Sequence, residues 1–308
     1  MKHVFIMDSL DQVKPWKDTT YHLMLAAATR SHEVFKLAQM DMFLEHNRLA
    51  AWVYPVAVHD NHAAPFTIGE KQRVYLDEMD VVWERTDPPF NRRYFYTSLL
   101  LDFLPESVRV INRPSAIRDW NEKLGALKFP EFTPQTLVSS SRSEIQAFAN
   151  KQGRITLKPI DGHGGKGIRF CNSDDDNIAS VIDESTHNGS HWIIAQQYLP
   201  AADQGDKRIL LLEGETIGAI LRLHADGVEL NNLDAGGSAN ATEITPREQE
   251  ICEAMSNDLL RSGILFAGID IIGGMLIEVN VTSPTGLQEA SQFSGRDLNL
   301  EIIDHLSA

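Results

Sequence analysis

The stretch that decides the fold is FAGIDIIGGMLIEVNVTSP, residues 266–284. Two apolar runs flank Gly273 and Gly274, which is typical of two strands joined by a tight turn. Oxygen-bearing side chains interrupt these runs at Asp270, Glu278 and Asn280. Because side chains alternate across a strand, Glu278 and Asn280 are predicted to face the same side of the hairpin.

The register of this hairpin decides whether its polar side chains meet. A two-residue loop would pair Asp270 with Ile277 and place Asp270 on the opposite face. A three-residue loop ending at Met275, or an equivalent bulge, pairs Asp270 with Glu278 instead, and we predict this second arrangement. The alternative is a hairpin with incidental polar residues. The cost of burying two acids without a counter-charge makes that interpretation the weaker one.

Two carboxylates and an amide, with no His or Cys nearby, form a set of hard oxygen ligands. Such ligands suit Mg²⁺ or Mn²⁺, which keep coordination positions open for phosphate oxygens. We therefore predict a metal site built from Asp270, Glu278 and Asn280.

The composition describes a folded chain with a strong negative charge. Its 308 residues are 43% apolar, which is enough for two or three compact units. A net charge of -15 opposes binding to nucleic acid and to anionic membranes, so a small phosphorylated ligand met by clustered cations or metal fits better than DNA. The sequence has only two cysteines, no apolar stretch long enough to span a bilayer and no recognisable signal peptide. We therefore predict a reduced, cytoplasmic location.

The first third of the chain alternates strands and helices in the manner of an open α/β unit. Strands are predicted at residues 3–7, 34–37, 81–83 and 108–111, a helix near 94–104, and an added hairpin at 40–44 and 48–54. Asp18 is an N-cap candidate for a helix after the first strand. Ligands collect beyond the carboxyl ends of such strands. This directs attention to Asp8 with Lys17–Thr20, a segment that includes Asp18, and to Arg85-Thr-Asp87-Pro-Pro-Phe90.

Arg85 and Asp87 follow the strand at 81–83 and precede Pro88 and Pro89. Two interpretations stay open at this position. The two charges could clamp a zwitterionic substrate, or they could pair with each other where the prolines end the strand.

A glycine-rich loop follows an apolar strand in the middle of the chain. Residues 162–167 read GHGGKG and match the dinucleotide fingerprint, but a strand at 168–171 follows where that motif requires a helix. A glycine-rich loop between two strands can instead fold its N–H groups over phosphates, with Lys158 as a point charge on one of them. The alternative is a flexible β-turn, which the presence of Lys158 beside the loop disfavours.

Three later features complete the pattern. The strand over residues 192–199 ends at Pro200, and such a break can offer backbone groups to a flat base. Arg208 and Arg222 lie on two further predicted strands. A single arginine on a strand is usually solvated, but two arginines beside a metal-binding hairpin would suit an anionic transition state. Residues 226–238 belong to a polar, glycine-rich loop that we predict to be mobile.

The order of these features resembles the ATP-grasp ligases, and among them the bacterial glutathione synthetase family. The similarity covers nearly the whole chain and rests on Ile6-Met-Asp8, Arg85-x-Asp87-Pro-Pro-Phe90, Asn112-Arg-Pro-Ser, Asn121-Glu-Lys123, Lys158-Pro-Ile-Asp-Gly162, Gly205-Asp-Lys-Arg208 and Ile277-Glu-Val-Asn280-Val-Thr-Ser283-Pro-Thr285. The resemblance implies an α/β (α+β) chain with an ATP-grasp fold. It implies an N-terminal open α/β domain (1–122), a small lid domain with the glycine-rich flap (123–195) and a C-terminal domain with the metal hairpin (196–308).

The resemblance also implies a reaction, in which ATP converts a peptide carboxylate into an acyl phosphate and an amine then displaces phosphate. The substrates would be γ-glutamylcysteine, glycine and ATP, and the cofactor two Mg²⁺ or Mn²⁺ ions. The enzyme would be a homo-oligomer, either a dimer or a tetramer, with neither nucleic acid nor membrane as a partner.

Roles for individual residues follow from the same resemblance. ATP would be bound by Lys123, Lys158, Gly162, Gly164, Gly165, Gly167, Gln197, Tyr198, Leu199 and Asp206. The peptide and amine substrates would contact Asp18, Arg85, Asp87, Ser283, Thr285, Gly236 and Gly237. Arg208 and Arg222 would stabilise the acyl phosphate and the oxyanion formed on amine attack, and Asp270, Glu278 and Asn280 would hold the metal ions.

Three positions depart from the family pattern. Arginines that the family carries on its mobile loop and after Ser-Pro-Thr are replaced here by Leu230, Ser238 and Gln288. Two alternatives therefore accompany glutathione synthesis: the same chemistry with another acceptor amine, or a degenerate ATP-binding regulatory protein. Complete metal and phosphate residues argue against the second, since loss of turnover gives no reason to keep them.

Overall fold

Three β-sheets follow one another along the chain in the computed structural model, which describes residues 1–224 and 237–307. The first sheet contains β1 (Lys2–Ile6), β2 (Glu33–Leu37), β3 (Met42–Glu45), β4 (Arg48–Val58), β5 (Phe66–Ile68), β6 (Gln72–Tyr75), β7 (Val81–Glu84) and β8 (Arg109–Ile111). Its helices are α1 (Thr19–Thr29), α2 (Arg92–Leu101) and α3 (Pro114–Asp119).

Four strands of the first sheet run parallel in the order β2-β1-β7-β8, and β4 pairs antiparallel to β2. This parallel core matches the open α/β unit predicted from the sequence. The short strands β5 and β6, which both pair with β4, were not predicted. Their residues are exposed or half-buried, so they lack the apolar pattern that identifies a strand.

The second sheet is antiparallel and has the order β11-β10-β12-β9. Its strands are β9 (Thr136–Ser139), β10 (Arg154–Pro159), β11 (Arg169–Asn172) and β12 (Ile193–Gln197), and its helices are α4 (Arg142–Gln152) and α5 (Ile178–Ser185). The helices bury Ile145 and Ile182 against Leu157 in a small separate core. The glycine-rich loop therefore connects two antiparallel neighbours, β10 and β11, as predicted.

The third sheet is also antiparallel, with the order β15-β14-β13-β16-β17. Its strands are β13 (Asp206–Leu212), β14 (Glu215–Leu223), β15 (Ser238–Ala241), β16 (Phe266–Ile272) and β17 (Met275–Asn280). Helices α6 (Pro246–Ser262), α7 (Leu287–Ser294) and α8 (Leu298–Ser307) accompany it.

The β16–β17 hairpin has a two-residue turn and a bulge, which is the equivalent arrangement predicted above. Gly273 and Gly274 both have positive φ, 56° and 75°, as this tight turn requires. The pairing slips by one residue between Asp270 and the next residue of β16, so Asp270 lies opposite Glu278.

A shared apolar core and one amide join the first and third sheets. Phe5 and Leu23 belong to the same buried cluster as Leu298 and Ile302. Asn112, directly after β8, donates from Nδ2 to the carbonyl oxygens of residues 266 and 281, both at 2.7 Å. Its Oδ1 accepts from the backbone N–H groups of residues 265 and 266 at 2.8 and 2.9 Å, so every hydrogen-bonding position of the amide is used.

Within the described residues, no helix is long and apolar enough to cross a membrane.

Candidate active site

A cavity of about 630 Å³ lies where the three sheets meet. Most of the predicted site residues line it: Asp18, Arg85, Asp87, Lys123, Lys158, Gly162, Gly164, Gly165, Gln197, Tyr198, Leu199, Asp206, Arg208, Arg222, Asp270, Glu278, Asn280, Ser283 and Thr285. Residues separated by as many as 267 positions, from Asp18 to Thr285, are therefore brought to one place.

Two predicted residues of the described part of the chain lie elsewhere. Gly167 does not line the cavity; its φ is +77°, and a Cβ there would lie 2.8 Å from Pro159 Cγ, so close packing requires glycine. Gly237 lines a smaller neighbouring cavity of about 380 Å³. Gly236 lies outside the described residues, as do Leu230 and most of the loop predicted to be mobile.

Four charged side chains form a network in the cavity wall. Arg208 donates from Nε to Asp270 Oδ1 and from Nη2 to Oδ2, both at 2.8 Å. Arg222 donates to Asp206 from Nε at 2.5 Å and from Nη2 at 2.8 Å, and its Nη2 lies 2.9 Å from Asp270 Oδ2. Burial alone would raise the pKa of Asp270, but the two guanidinium charges outweigh it and hold the pKa well below its usual range.

The other two predicted metal ligands lie on the same face as Asp270. Glu278 Oε1 is 3.2 Å from Lys123 Nζ. Asn280 Nδ2 donates to the Gly268 carbonyl at 3.2 Å and to Asp270 Oδ2 at 3.3 Å. The neighbouring valines, Val279 and Val281, are buried in the core as predicted.

The donor chemistry of this face fits a divalent cation such as Mg²⁺, which prefers carboxylate and carbonyl oxygens. In the parts of the chain that the structure describes, no group of three or more His, Cys, Asp or Glu could hold a metal. The amide oxygen of Asn280 is therefore needed to complete a set of three ligands with Asp270 and Glu278.

Two lysines, Lys123 and Lys158, line the cavity near the glycine-rich loop. Lys158, on β10, donates from Nζ to Gln196 Oε1 at 2.7 Å, and burial lowers the pKa of Lys158 to about 8. Lys123 Nζ donates to the carbonyl oxygen of Gly162 and so ties the loop to the metal hairpin. Both lysines are buried, so each is a desolvated positive charge suited to a phosphate oxygen.

The glycine-rich loop turns its backbone over the cavity. Gly164 and Gly165 have φ of 60° and 75°, which side chains disfavour. Successive residues in such conformations can point several N–H groups at one anion. A loop of this kind, beside Lys123 and Lys158 in the cavity wall, has the chemistry to bind an anion.

An aromatic and apolar wall lines another part of the cavity, formed by Phe170, Tyr198, Leu199, Ile272 and Ile277. The Phe170 and Tyr198 rings meet edge to face, with centroids 5.8 Å apart. The Arg154 guanidinium lies 3.8 Å from the centroid of Tyr198. This wall suits a flat heteroaromatic base.

The remaining part of the cavity contains Arg85, Asp87 and Asp18. Arg85 donates from Nε to Thr20 Oγ1 at 3.1 Å and from Nη2 to the carbonyl oxygen of Pro284 at 3.0 Å. Asp87 Oδ1 accepts from Ser283 Oγ at 2.9 Å. Arg85 and Asp87 therefore bond to different partners, and the substrate clamp stays a prediction. Asp18 has the predicted N-cap role, accepting from the N–H of residue 21 at 2.8 Å.

The polar residues of the cavity that sequence reasoning did not assign to the site include Glu122, Thr156, Gln196 and Thr282. Gln196 bonds to Lys158, and Glu122 Oε1 accepts from Thr282 Oγ1 at 2.7 Å. One available signal was a polar side chain inside an apolar strand, as at Gln196 after Ile-Ile-Ala. Such a residue needs a buried partner and so points to a site.

Two antiparallel sheets with a glycine-rich loop over lysines and hard oxygen ligands define the chain as an ATP-grasp ligase. The same fold occurs in the crystal structure of D-cycloserine synthetase DcsG, with a TM-score of 0.68, 14% identity and coverage of 99% of this chain and 100% of that chain. It also occurs in ATP-grasp ligase PsnB complexed with minimal precursor, Mg and ADP, with a TM-score of 0.62, 15% identity and coverage of 98% and 96%.

The chain belongs to the prokaryotic glutathione synthetase family. Residues 1–118 match the family's N-terminal domain, and residues 122–295 match its ATP-grasp domain. The chain is 40% identical over 312 residues to the glutathione synthetase of Gloeobacter violaceus, covering 99% of this chain and 96% of that protein. It is 38% identical over 311 residues to that of Nitrosomonas europaea, covering 99% and 97%.

Proposed function

We propose that this chain joins γ-glutamylcysteine to glycine, converting ATP to ADP and phosphate and forming glutathione. The observation that carries the proposal is that one cavity combines Lys123 and Lys158 with the oxygen ligands of the 270–280 hairpin and with Arg208. Family membership supports it, because the family uses ATP and a divalent metal ion. The similarity to curated glutathione synthetases also extends over the full chain.

The first step makes the cysteinyl carboxylate electrophilic. A carboxylate oxygen attacks the γ-phosphorus of ATP, the bond from that phosphorus to the β,γ-bridging oxygen breaks, and ADP leaves with the electron pair. Positioning and charge stabilisation supply most of the catalysis in such a transfer. Lys123, Lys158 and the glycine-rich loop hold the phosphates, while Tyr198 and Leu199 border the adenine.

Asp270, Glu278 and Asn280 would hold the metal, which we propose to be two ions of Mg²⁺ or Mn²⁺. Bound there, the ions would supply positive charge that offsets the negative charge of the phosphates. The low pKa of Asp270 keeps this ligand ionised, so protons compete little with metal for it. Asp206, whose two oxygens bond to Arg222, orients that arginine towards Asp270.

In the second step the glycine nitrogen attacks the acyl carbon and the bond from that carbon to the phosphate oxygen breaks. The ammonium gives up two protons overall, one carried away by the leaving phosphate and one released to solvent. Negative charge develops on the acyl oxygen during attack, and preorganised donors lower the energy of that state. Arg208 and Arg222 are the proposed donors, and both are buried and held in place by carboxylates.

We further propose that the three sheets correspond to three domains, at 1–122, 123–195 and 196–308. The sheet of the proposed lid extends two residues past the boundary at residue 195, because β12 ends at Gln197.

We also propose a homo-oligomer, a dimer or a tetramer. Exposed apolar side chains at Phe95, Tyr96 and Phe103 support it, since clustered apolar surface favours association. Light scattering on the purified protein measures the mass of the particle in solution and so distinguishes a dimer or a tetramer from a monomer.

The test is phosphate release from the full-length protein with ATP and Mg²⁺, with each substrate omitted in turn. Glutathione synthesis requires that release depends on both γ-glutamylcysteine and glycine. Release that needs γ-glutamylcysteine but responds to another amine indicates a different acceptor. No release with any acceptor indicates an ATP-binding regulator and overturns the proposal.

A further inference from the structure

Helix α2 presents an apolar stripe to solvent. Four large side chains on one side of it are between 37% and 55% exposed: Phe95, Tyr96, Leu99 and Phe103. Phe95, Leu99 and Phe103 are spaced by four residues, so they lie along one line of the helix surface. Phe103 belongs to the closing turn, because its N–H donates to the carbonyl oxygen of residue 100 at 3.1 Å. A continuous stripe of this kind is typical of a surface that another molecule covers.

The exposed apolar surface continues onto the elements beside α2. The helix packs against β3 and against the short helix Gln39–Asp41 that precedes β3. Met40 is 71% exposed and Leu44 38% exposed on these two elements. Side chains alternate along a strand, so Leu44 lies on the same face of the sheet as Met42, which shares a buried cluster with Leu101 of α2. The apolar surface is therefore wider than the helix alone.

Charged side chains flank the stripe in a definite order. Arg92 and Arg93 are exposed at the start of α2, and Asp102 and Glu106 are exposed just beyond its end. Within residues 1–224 and 237–307, Arg92, Arg93 and Glu106 form no ion pair, while Asp102 pairs with Arg118. The stripe is therefore positive at one end and negative at the other.

This order is complementary to itself. In an antiparallel pair of identical helices related by a two-fold axis, residues at equal distances on either side of the axis face each other. If the axis passes Leu99, that leucine meets its own copy, and Phe95 meets Phe103 of the second copy. Arg92, seven residues before Leu99, then meets Glu106, seven residues after it. Every contact away from the axis occurs twice.

The charge of the whole chain favours this occupant over others. A net charge of -15 makes two copies repel each other in most orientations, so they associate only where opposite charges are locally matched. The two arginines beside the stripe supply that match. An anionic membrane or a nucleic acid would instead meet Asp102 and Glu106 at the other end of the same surface.

We propose that α2 forms a two-fold interface by packing antiparallel on α2 of a second copy of this chain, with Leu99 on the axis. The proposal rests on the homo-oligomer of the proposed function and names the surface that forms it. It does not depend on the chemistry in the cavity.

Sedimentation equilibrium of the full-length protein over a dilution series tests the interface. The variants are Leu99→Asp, Arg92→Glu, Glu106→Arg and the double variant that carries both charge reversals. Leu260→Asp is the matched control, because Leu260 is a similarly exposed leucine on α6, 43% against 37% for Leu99. Thermal unfolding checks that each variant is folded.

Leu99→Asp places two carboxylates against each other on the axis, so the Kd of the dimer is expected to rise by about 100-fold or more. Arg92→Glu and Glu106→Arg each turn two attractive contacts into repulsive ones, which raises the Kd by about 10-fold. The double variant restores the opposite charges and returns the Kd close to that of the wild type. If the wild type is a tetramer, Leu99→Asp reduces it to dimers.

Cross-linking tests the position of the axis. A residue on a two-fold axis meets its own copy, so Leu99→Cys is expected to give a covalent dimer on oxidation, which a reductant reverses. Leu260→Cys is the control and stays uncrosslinked. The two native cysteines, Cys171 and Cys252, are buried.

A Leu99→Asp protein that associates as strongly as the wild type overturns the interface and leaves the homo-oligomer standing. A wild type that stays monomeric at every dilution overturns both. If Leu99→Asp does not fold, the charge reversals decide, because a double variant no better than the single ones contradicts the pairing of Arg92 with Glu106. Phosphate release is measured on the same preparations, so failure of the ligase function is read separately.

Discussion

Arg208 and Asp270 form two parallel hydrogen bonds, Nε to Oδ1 and Nη2 to Oδ2, both 2.8 Å long. The pair joins β13 to β16, where the two residues lie directly opposite each other. It holds a proposed metal ligand and a proposed transition-state donor in fixed orientation. The geometry uses the planar fork of the guanidinium, which a lysine cannot reproduce.

Replacing Arg208 with Lys is therefore expected to lower kcat by about 100- to 1000-fold, the loss typical of one oxyanion donor. KM for ATP changes little, because Lys123 and Lys158 remain. Initial-rate kinetics of phosphate release measure both parameters. Arg247→Lys, on the exposed side of α6, is the matched control. A kcat close to that of the wild type in Arg208→Lys would show that Arg208 does not act in the reaction.

Glu278→Gln tests the metal site, because it keeps the size of the side chain and removes its charge. The Mg²⁺ concentration that gives half-maximal rate is expected to rise by about 10- to 100-fold, as for other changes to a metal's surroundings. Circular dichroism should show an unchanged fold. Glu250→Gln, exposed on α6, controls for loss of one negative charge. If the Glu278→Gln enzyme reaches half-maximal rate at the same Mg²⁺ concentration as the wild type, Glu278 is not a metal ligand.

The lowered pKa of Lys158, about 8, predicts how ATP binding depends on pH. In the free protein Lys158 is charged below pH 8 and neutral above it, and bound phosphate favours the charged form. Binding above pH 8 therefore requires proton uptake, and ATP affinity falls by up to about tenfold per pH unit. Calorimetric titration between pH 7 and 9.5 measures this slope.

Lys158→Arg is the control for that profile, because arginine stays charged over the whole range. Its ATP affinity should be independent of pH between 7 and 9.5. A flat profile for the wild-type protein would mean that Lys158 is charged throughout or makes no contact with phosphate.

Asn112→Ala tests the joint between the first and third sheets. The substitution removes four hydrogen bonds to buried or partly buried backbone groups at residues 265, 266 and 281. The free energy of unfolding is expected to fall by about 3 kcal/mol, since each unsatisfied buried group costs about 1–3 kcal/mol. Urea unfolding measures the change. Asn150→Ala, exposed on α4, should leave stability unchanged, and an equal effect of the two substitutions would contradict the role of Asn112.

The parts of the fold that could be predicted from sequence are those fixed by local chemistry. Asp18 caps α1 because its side chain reaches an N–H group three residues ahead. Asp270 meets Glu278 because Gly273 and Gly274 permit the turn and two acids cannot face an apolar core. Both features depend on residues fewer than ten positions apart.

Contacts between distant strands could not be predicted in this way. The Arg208–Asp270 pair requires β13 to lie beside β16, and nothing near either residue specifies that pairing. Glu289 is an ordinary surface residue in sequence, and only the packing of α7 near α1 brings it to the cavity that Asp18 also lines. Without their distant partners, such residues carry no local signal.

The central claim is that a peptide carboxylate is activated by phosphorylation in the cavity between the sheets. It is tested most directly with γ-glutamylcysteine carrying ¹⁸O in its cysteinyl carboxylate, incubated with the enzyme, ATP, glycine and Mg²⁺. Activation through an acyl phosphate predicts that each phosphate released contains one ¹⁸O atom and that glutathione retains the other. Unlabelled phosphate released alongside glutathione would contradict the account, because the carboxylate oxygen would then never have been bonded to phosphorus.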